Sequence, residues 1–179
     1  MAGKPPQFEP GAAPDPAWSH VVPGALGPES AMVDVSSKAV TARSALARAI
    51  VRCPRGLLEE LLAGRGPKGP VLEVARTAAI LAVKRTPELI PLCHPLAIDG
   101  VEVHFAPLDG ERLEIRCRVA STGRTGVEME ALVGASLAAL TVYDMSKARS
   151  HEIAIEEVRL LEKRGGRSGE WTSARNASA

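Results

Sequence analysis

Three groups of residues in this 179-residue chain have types and spacings suited to chemistry. Glu130, Val133, Leu137, Leu140, Asp144 and Lys147 recur at intervals of three and four. On a helix that spacing makes one stripe, apolar in the middle and charged at both ends. Such a stripe is expected to face the core, and its terminal charges must then be paired or put to use, because burying one alone is costly. Asp144 and Lys147, three residues apart, are within reach of each other. The plainer alternative is a helix end whose stripe simply runs into water. At the rise of an α-helix, Glu130 and Lys147 lie roughly 25 Å apart along the axis. One small ligand cannot touch both within a single subunit. Two antiparallel copies of the helix would bring the Glu130 end of one to Asp144 and Lys147 of the other, which puts the expected site at a two-fold interface.

The second group is the run Ile90-Pro91-Leu92-Cys93-His94-Pro95-Leu96. Pro95 drives His94 toward extended backbone, and Pro91 stiffens the approach. A histidine held on a rigid, otherwise apolar segment suits proton transfer or recognition of a polar ligand edge. A loop histidine satisfied by backbone is the competing reading. Cys93 and His94 do not make a zinc pair, because neighbours in extended backbone point apart and no second pair follows. The third group comprises two basic, glycine-bearing loops. Lys68 sits among Gly66, Pro67, Gly69 and Pro70, and Lys163-Arg164-Gly165-Gly166-Arg167-Ser168-Gly169 comes late in the chain. Exposed backbone N–H groups beside lysine or arginine suit phosphate. Neither loop is a GxxxxGK[ST] phosphate loop, and each alone also reads as solvated surface charge.

The elements that must position these groups follow from hydrophobic period and turn residues. Residues 42–53 alternate as a strand, with helix as the alternative because of their alanines. Pro54 opens a short helix over residues 55–63, and residues 71–85 form a clear helix that stops before Pro87. Residues 33–35 are a short extended start. Strands over residues 101–107 and 112–119 flank an Asp109-Gly110 turn, which sets Val101, Val103 and Phe105 against Leu113, Ile115 and Cys117. A long helix covers residues 127–148, and residues 153–161 are the closing strand. This order fits an α+β, ferredoxin-like sandwich, an antiparallel sheet with helices on one face. Residues 1–30, rich in Pro, Gly and Ala, read as a disordered arm, residues 31–167 as the folded domain and residues 168–179 as a flexible tail.

Composition narrows the function. The net charge is +1, so a general affinity for nucleic acid or membrane is not indicated, and anion binding must be local. The odd set Cys53, Cys93 and Cys117, without a CxxC pair, argues against a disulfide framework and a four-cysteine zinc site. With no leader pattern and no run of about twenty apolar residues, a cytoplasmic location is expected.

Four segments together go further. MVDVSSKAVTARSALA from Met32, PKGPVLEVARTAAILAVKRTPELIPLCHPL from Pro67, TGRTGVEMEAL from Thr122 and SLAALTVYDMSKA from Ser136 closely resemble the signature segments of the MoaC family. The resemblance runs from about Met32 to Gly169. The chain has Ser146 where the family often has cysteine. The resemblance implies a lyase of molybdenum cofactor biosynthesis that converts a cyclised dihydro-GTP intermediate into cyclic pyranopterin monophosphate and releases pyrophosphate. It implies a homohexamer of three dimers with sites between subunits, no certain cofactor, and Mg²⁺ as a companion of the triphosphate. Asp144, Lys147 and Lys68 match the family's catalytic positions. Leu92, Cys93, His94, Glu128, Met129 and Glu130 match its substrate-binding ones. The rival is a ferredoxin-like regulatory domain that binds nucleotide without turning it over, and a pure assembly scaffold has no need of the charged stripe ends.

Overall fold

The computed structural model describes residues 21–24, 27–166 and 169–174. The elements are β1 (Val21–Gly24), β2 (Gly27–Ser30), β3 (Thr41–Arg52), α1 (Leu57–Leu62), α2 (Val71–Lys84), α3 (Thr86–Leu89), β4 (Gly100–Pro107), β5 (Arg112–Gly123), α4 (Glu128–Ser146), β6 (Ala154–Arg164) and β7 (Trp171–Thr172). From β3 to β6 the order is strand, helices, two strands, helix, strand. The sheet runs β4-β5-β3-β6-β7 with every neighbouring pair antiparallel. This is the α+β, ferredoxin-like sandwich expected from the sequence.

The β4–β5 register sets Val103 opposite Cys117 and Phe105 opposite Ile115. Asp109 makes the turn between them, its Oδ1 accepting from the backbone N–H groups of Glu111 and Arg112 at 2.9 and 2.8 Å. In β3 the inward positions Ala45, Ala47, Ala49 and Val51 are buried against the helices. The alternate face is mixed: Leu46 and Ile50 are buried on it, and Arg48 pairs with Glu114 at 3.5 Å and Glu157 at 2.5 Å. A strand was legible in the alternation of Ala45, Ala47, Ala49 and Val51, and its alanines serve close packing rather than a helix.

Several boundaries moved. Residues 33–35 are in neither helix nor strand, α3 is an extra short helix after α2, and β5 and β6 run longer than expected. Much of the expected arm, residues 1–20, lies outside the described residues. Its last part is ordered as a hairpin, with Val21 opposite Ser30, Gly24 opposite Gly27 and Gly27 at a left-handed φ of 125°. Of the expected tail, Trp171 and Thr172 pair with Lys163 and Glu162 and extend the sheet edge.

The stripe on α4 needs a larger correction. The residues that face the core are Ala131, Ala135, Ala138, Val142 and Met145. Of the expected stripe, Glu130 and Val133 are buried, but Leu137 is half-buried, Leu140 is 50% exposed, and Asp144 and Lys147 are exposed. The leucines marked a face turned away from the sheet, because the sheet-facing side is built from alanine and glycine. Gly134 shows why: a Cβ there would stand 2.6 Å from Cys117 Sγ and 2.8 Å from Val83 Cγ2. The absent side chain lets α4 settle against both β5 and α2. Gly134→Ala is therefore expected to lower the unfolding free energy by about 2 kcal/mol, despite alanine's better helix propensity. Urea denaturation would measure it, and unchanged or raised stability would contradict this contact.

Candidate active site

The expected site residues fall into two groups at opposite ends of α4. At the C-terminal end stand Asp144, Lys147 and Lys68. Asp144 and Lys147 are on the last turn, and Lys147 Nζ lies 2.7 Å from Asp144 Oδ1. Lys68 arrives from the loop before α2. There Gly69 N donates to Gly66 O at 3.1 Å and Gly69 takes a φ of 91°, a conformation glycine adopts without strain. The turn holds Lys68 at its tip, and Nζ reaches Asp144 Oδ2 at 3.3 Å and the Asp144 carbonyl at 3.2 Å. One carboxylate thus bridges two ammonium groups. Hydrogen bonds from Lys147 and then Lys68 hold the Asp144 carboxyl below its usual range, and Asp144 holds Lys147 above its usual range. All three side chains are about half exposed. In the isolated subunit Lys147 is therefore kept protonated.

At the N-terminal end of α4, Glu128, Met129 and Glu130 open the helix, where acidic side chains suit the exposed N–H groups and the helix dipole. Glu130 is buried, and it lines a cavity of about 350 Å³ with Leu92, Cys93, His94, Glu128 and Met129. The Leu92–His94 run is placed by α3. Thr86, fully buried, donates to Val83 O at 3.1 Å, and Cys93 N donates to Ile90 O at 3.0 Å. His94 Nε2 lies 2.8 Å from Val33 O. A carbonyl only accepts, so Nε2 carries the hydrogen and Nδ1 of the neutral ring is left as an acceptor. Burial, and then Glu130, push the Cys93 thiol up, so it is not poised as a thiolate.

A second cavity, about 710 Å³, shares Lys38, Thr125, Gly126 and Glu128 with the first and is strongly basic. Arg43, Arg124, Lys163 and Arg164 join Lys38 in its wall. Lys163 and Arg164 belong to the second loop singled out in the sequence, while Arg167 and Ser168 lie outside the described residues. Gly165 and Gly166 have left-handed φ values of 95° and 75°. A Cβ on Gly166 would collide with the Arg43 guanidinium, and one on Gly165 with the Ala42 carbonyl. The glycine pair therefore lets Arg43 enter the wall. Lys38, Arg43 and Arg124 were missed as site residues. Lys38 lies inside the first signature segment and Arg124 in a glycine-flanked loop, which was the available signal; Arg43 sits on a strand and carries no local mark. Lys68, expected to help hold phosphate, is at the other end of the helix with Asp144. Among the described residues no three His, Cys, Asp or Glu side chains are grouped to hold a metal ion.

The architecture defines a class: a ferredoxin-like protein with a basic cavity for a polyanion, joined to a smaller pocket with acceptor and donor edges, plus a separate lysine–aspartate–lysine cluster. The particular family is also clear. Residues 32–166 match the MoaC family. A relative from Chloroflexus aggregans, named cyclic pyranopterin monophosphate synthase, is 53% identical over 147 residues, spanning 82% of this chain and 89% of that protein. Relatives of the same name from Novosphingobium aromaticivorans and Pelotomaculum thermopropionicum are each 51% identical, over 83% and 79% of this chain and 94% and 84% of theirs. The chain belongs to the MoaC family.

Glu130 supplies a pH test. Burial, opposed in part by a backbone hydrogen bond and aided by Glu128, raises its pKa above the ordinary 4.5. A carboxyl raised in the folded state favours folding while protonated. That contribution is full below about pH 4.5 and is lost as pH rises through the raised value. The gap in urea midpoint between Glu130→Gln and the parent should therefore move in favour of the variant between pH 4.5 and pH 7. A gap constant across that range would show that Glu130 is not desolvated.

Proposed function

We propose that this chain converts a cyclised dihydro-GTP intermediate into cyclic pyranopterin monophosphate and pyrophosphate, at sites completed by two subunits. The reaction is that of a lyase in molybdenum cofactor biosynthesis, in keeping with the names of its relatives. The observation that carries the reading is the pairing of a basic cavity with an adjoining pocket of the right chemistry. Lys38, Arg43, Lys163 and Arg164 line a cavity suited to a triphosphate, and Glu130, His94 and Cys93 line an adjoining pocket suited to a purine-derived ring edge.

The roles follow from charge and reach. Lys38, Arg43, Lys163 and Arg164 neutralise the triphosphate. When the cyclic phosphate closes, negative charge builds on the departing pyrophosphate, and fixed cations stabilise that build-up. Mg²⁺ would arrive with the substrate, carried on its phosphates. Opening and reclosing the nitrogen-bearing rings requires protons delivered and removed at nitrogen, oxygen and carbon. Lys147 and Lys68 are the donors; Asp144 holds Lys147 charged and lies within ion-pair reach of both. In an enclosed site, a second lysine and loss of water would lower the ammonium pKa and make proton return possible.

The two groups lie some 25 Å apart by the rise of the helix, too far for one subunit to bring both to one substrate. The outer face of α4 carries Met129, Leu137 and the half-exposed Leu140 between them. An antiparallel copy of α4 laid on that apolar face covers it and brings Asp144 and Lys147 of one subunit to the Glu130 cavity of the other. Three such dimers in a hexamer, and a cytoplasmic setting, complete the proposal. The regulatory-domain alternative gives binding of the triphosphate without release of pyrophosphate.

Incubation with the cyclised dihydro-GTP intermediate, with assays for pyranopterin and pyrophosphate, tests the reaction. Lys147→Ala and Asp144→Asn should each cut turnover by about a hundredfold or more while far-UV circular dichroism stays unchanged. Turnover near the parent's in both variants would remove these residues from the chemistry.

A further inference from the structure

Residues 31–40 join the β1–β2 hairpin to β3 in neither helix nor strand, yet they wall both cavities. Val33 and Val35 line the smaller one, Ser37 the basic one, and Lys38 both. Two side chains from the body of the fold grip the backbone of this strap. His94 Nε2 donates to the Val33 carbonyl at 2.8 Å, and Arg124 Nε donates to the Lys38 carbonyl at 3.2 Å. Arg124 is itself set from behind. Arg43 Nη2 donates to the Arg124 carbonyl at 3.2 Å, and Arg43 Nε to the Gly123 carbonyl at 3.4 Å. A continuous run of hydrogen bonds therefore leads from β3 through the loop after β5 to the residue where the cavities meet.

We propose that Arg124 is a positioning residue: its Nε–H fixes the backbone of Lys38, so that the Lys38 ammonium stands at the junction of the ring pocket and the phosphate cavity. This rests on the substrate orientation given under Proposed function. Arg124 also lines the basic cavity, so a direct contact between its charge and phosphate is the competing role. Geometry separates the two. The contact to the strap uses Nε, the fourth atom beyond Cα, and glutamine carries its amide nitrogen at that same place without a charge. Lysine keeps the charge but sets it one atom farther out. Without that donor, Lys38 would have to be ordered when substrate binds, at a cost in chain entropy, so losing it should weaken substrate capture more than the chemical step.

The test combines hydrogen–deuterium exchange of peptides covering residues 31–40 with steady-state kinetics on the full chain. Arg124→Met should speed exchange in those peptides and raise KM about tenfold, the scale of one lost hydrogen bond, with a smaller change in kcat. Arg124→Gln should restore both the protection and most of the KM. Unchanged exchange in Arg124→Met would overturn the proposal. So would Arg124→Gln with protected peptides and a KM as high as that of Arg124→Met, because charge would then be the role. If Arg124→Met loses its far-UV signal, Arg124→Lys replaces it: parental KM in Arg124→Lys with a raised KM in Arg124→Gln overturns the proposal, and the reverse supports it. Exchange is read without turnover, so an inactive parent would count against the reaction and leave the strap judged on exchange alone.

Discussion

The contact between α4 and the sheet governs what the rest of the molecule can do. Gly134 lies against Cys117 and Val83, and Ala131, Ala135, Ala138 and Val142 continue that close face. Small side chains let the helix seat deeply on β3 and β5 and beside α2. Dispersion contacts that bulky residues would spread over a thick core are here made between backbones and methyl groups. A helix held this way has a fixed rotation. Its first turn puts Glu130 into one cavity and its last turn sets Asp144 and Lys147 at the surface, while Leu140 is left exposed. The length of the helix separates the two groups of site residues, and core packing fixes which way each faces.

The same rotation sorts the charge. The N-terminal end of α4 gathers carboxylates and lies beside the arginines and lysines of β3, the loop after β5 and the end of β6. Lys163 to Glu128, at 3.4 Å, ties the two sets together. The C-terminal end gathers lysines around a single carboxylate. Each end therefore carries groups of both signs, as a reaction that moves protons at one place and phosphate charge at another requires. The buried Glu130 is the costly member, because a carboxyl out of water at a cavity wall needs a polar partner.

Much of this could be read from the chain. Alternation gave β3, the Asp109-Gly110 pair gave the β4–β5 hairpin, and the signature segments gave the family. Glycine and lysine in the Lys68 loop suggested phosphate, whereas the loop holds Lys68 against Asp144. Spacing failed where composition was unusual. The leucine stripe on α4 was assigned to the core because large apolar residues usually are, but a core of alanines left the leucines outside. The shared-site proposal therefore rests on the exposed Leu140 and half-buried Leu137 and not on a core-facing stripe. The basic cavity was legible only in part. Lys163 and Arg164 were marked by their glycines, whereas Arg43 on its strand and Lys38 in the strap come together only through β3–β5 pairing and the turn of residues 31–40. Long-range pairing of that kind leaves no local pattern in one sequence.

The central claim is that two subunits share each site, and mixing inactive proteins tests it most directly. Glu130→Gln and Lys147→Ala subunits, each inactive alone, would be exchanged together, with mixed oligomers verified by native mass spectrometry. A shared site predicts that pyrophosphate release returns, because a mixed dimer holds one site with both native residues and one with neither. Verified mixed oligomers that remain as inactive as either parent would contradict the shared site.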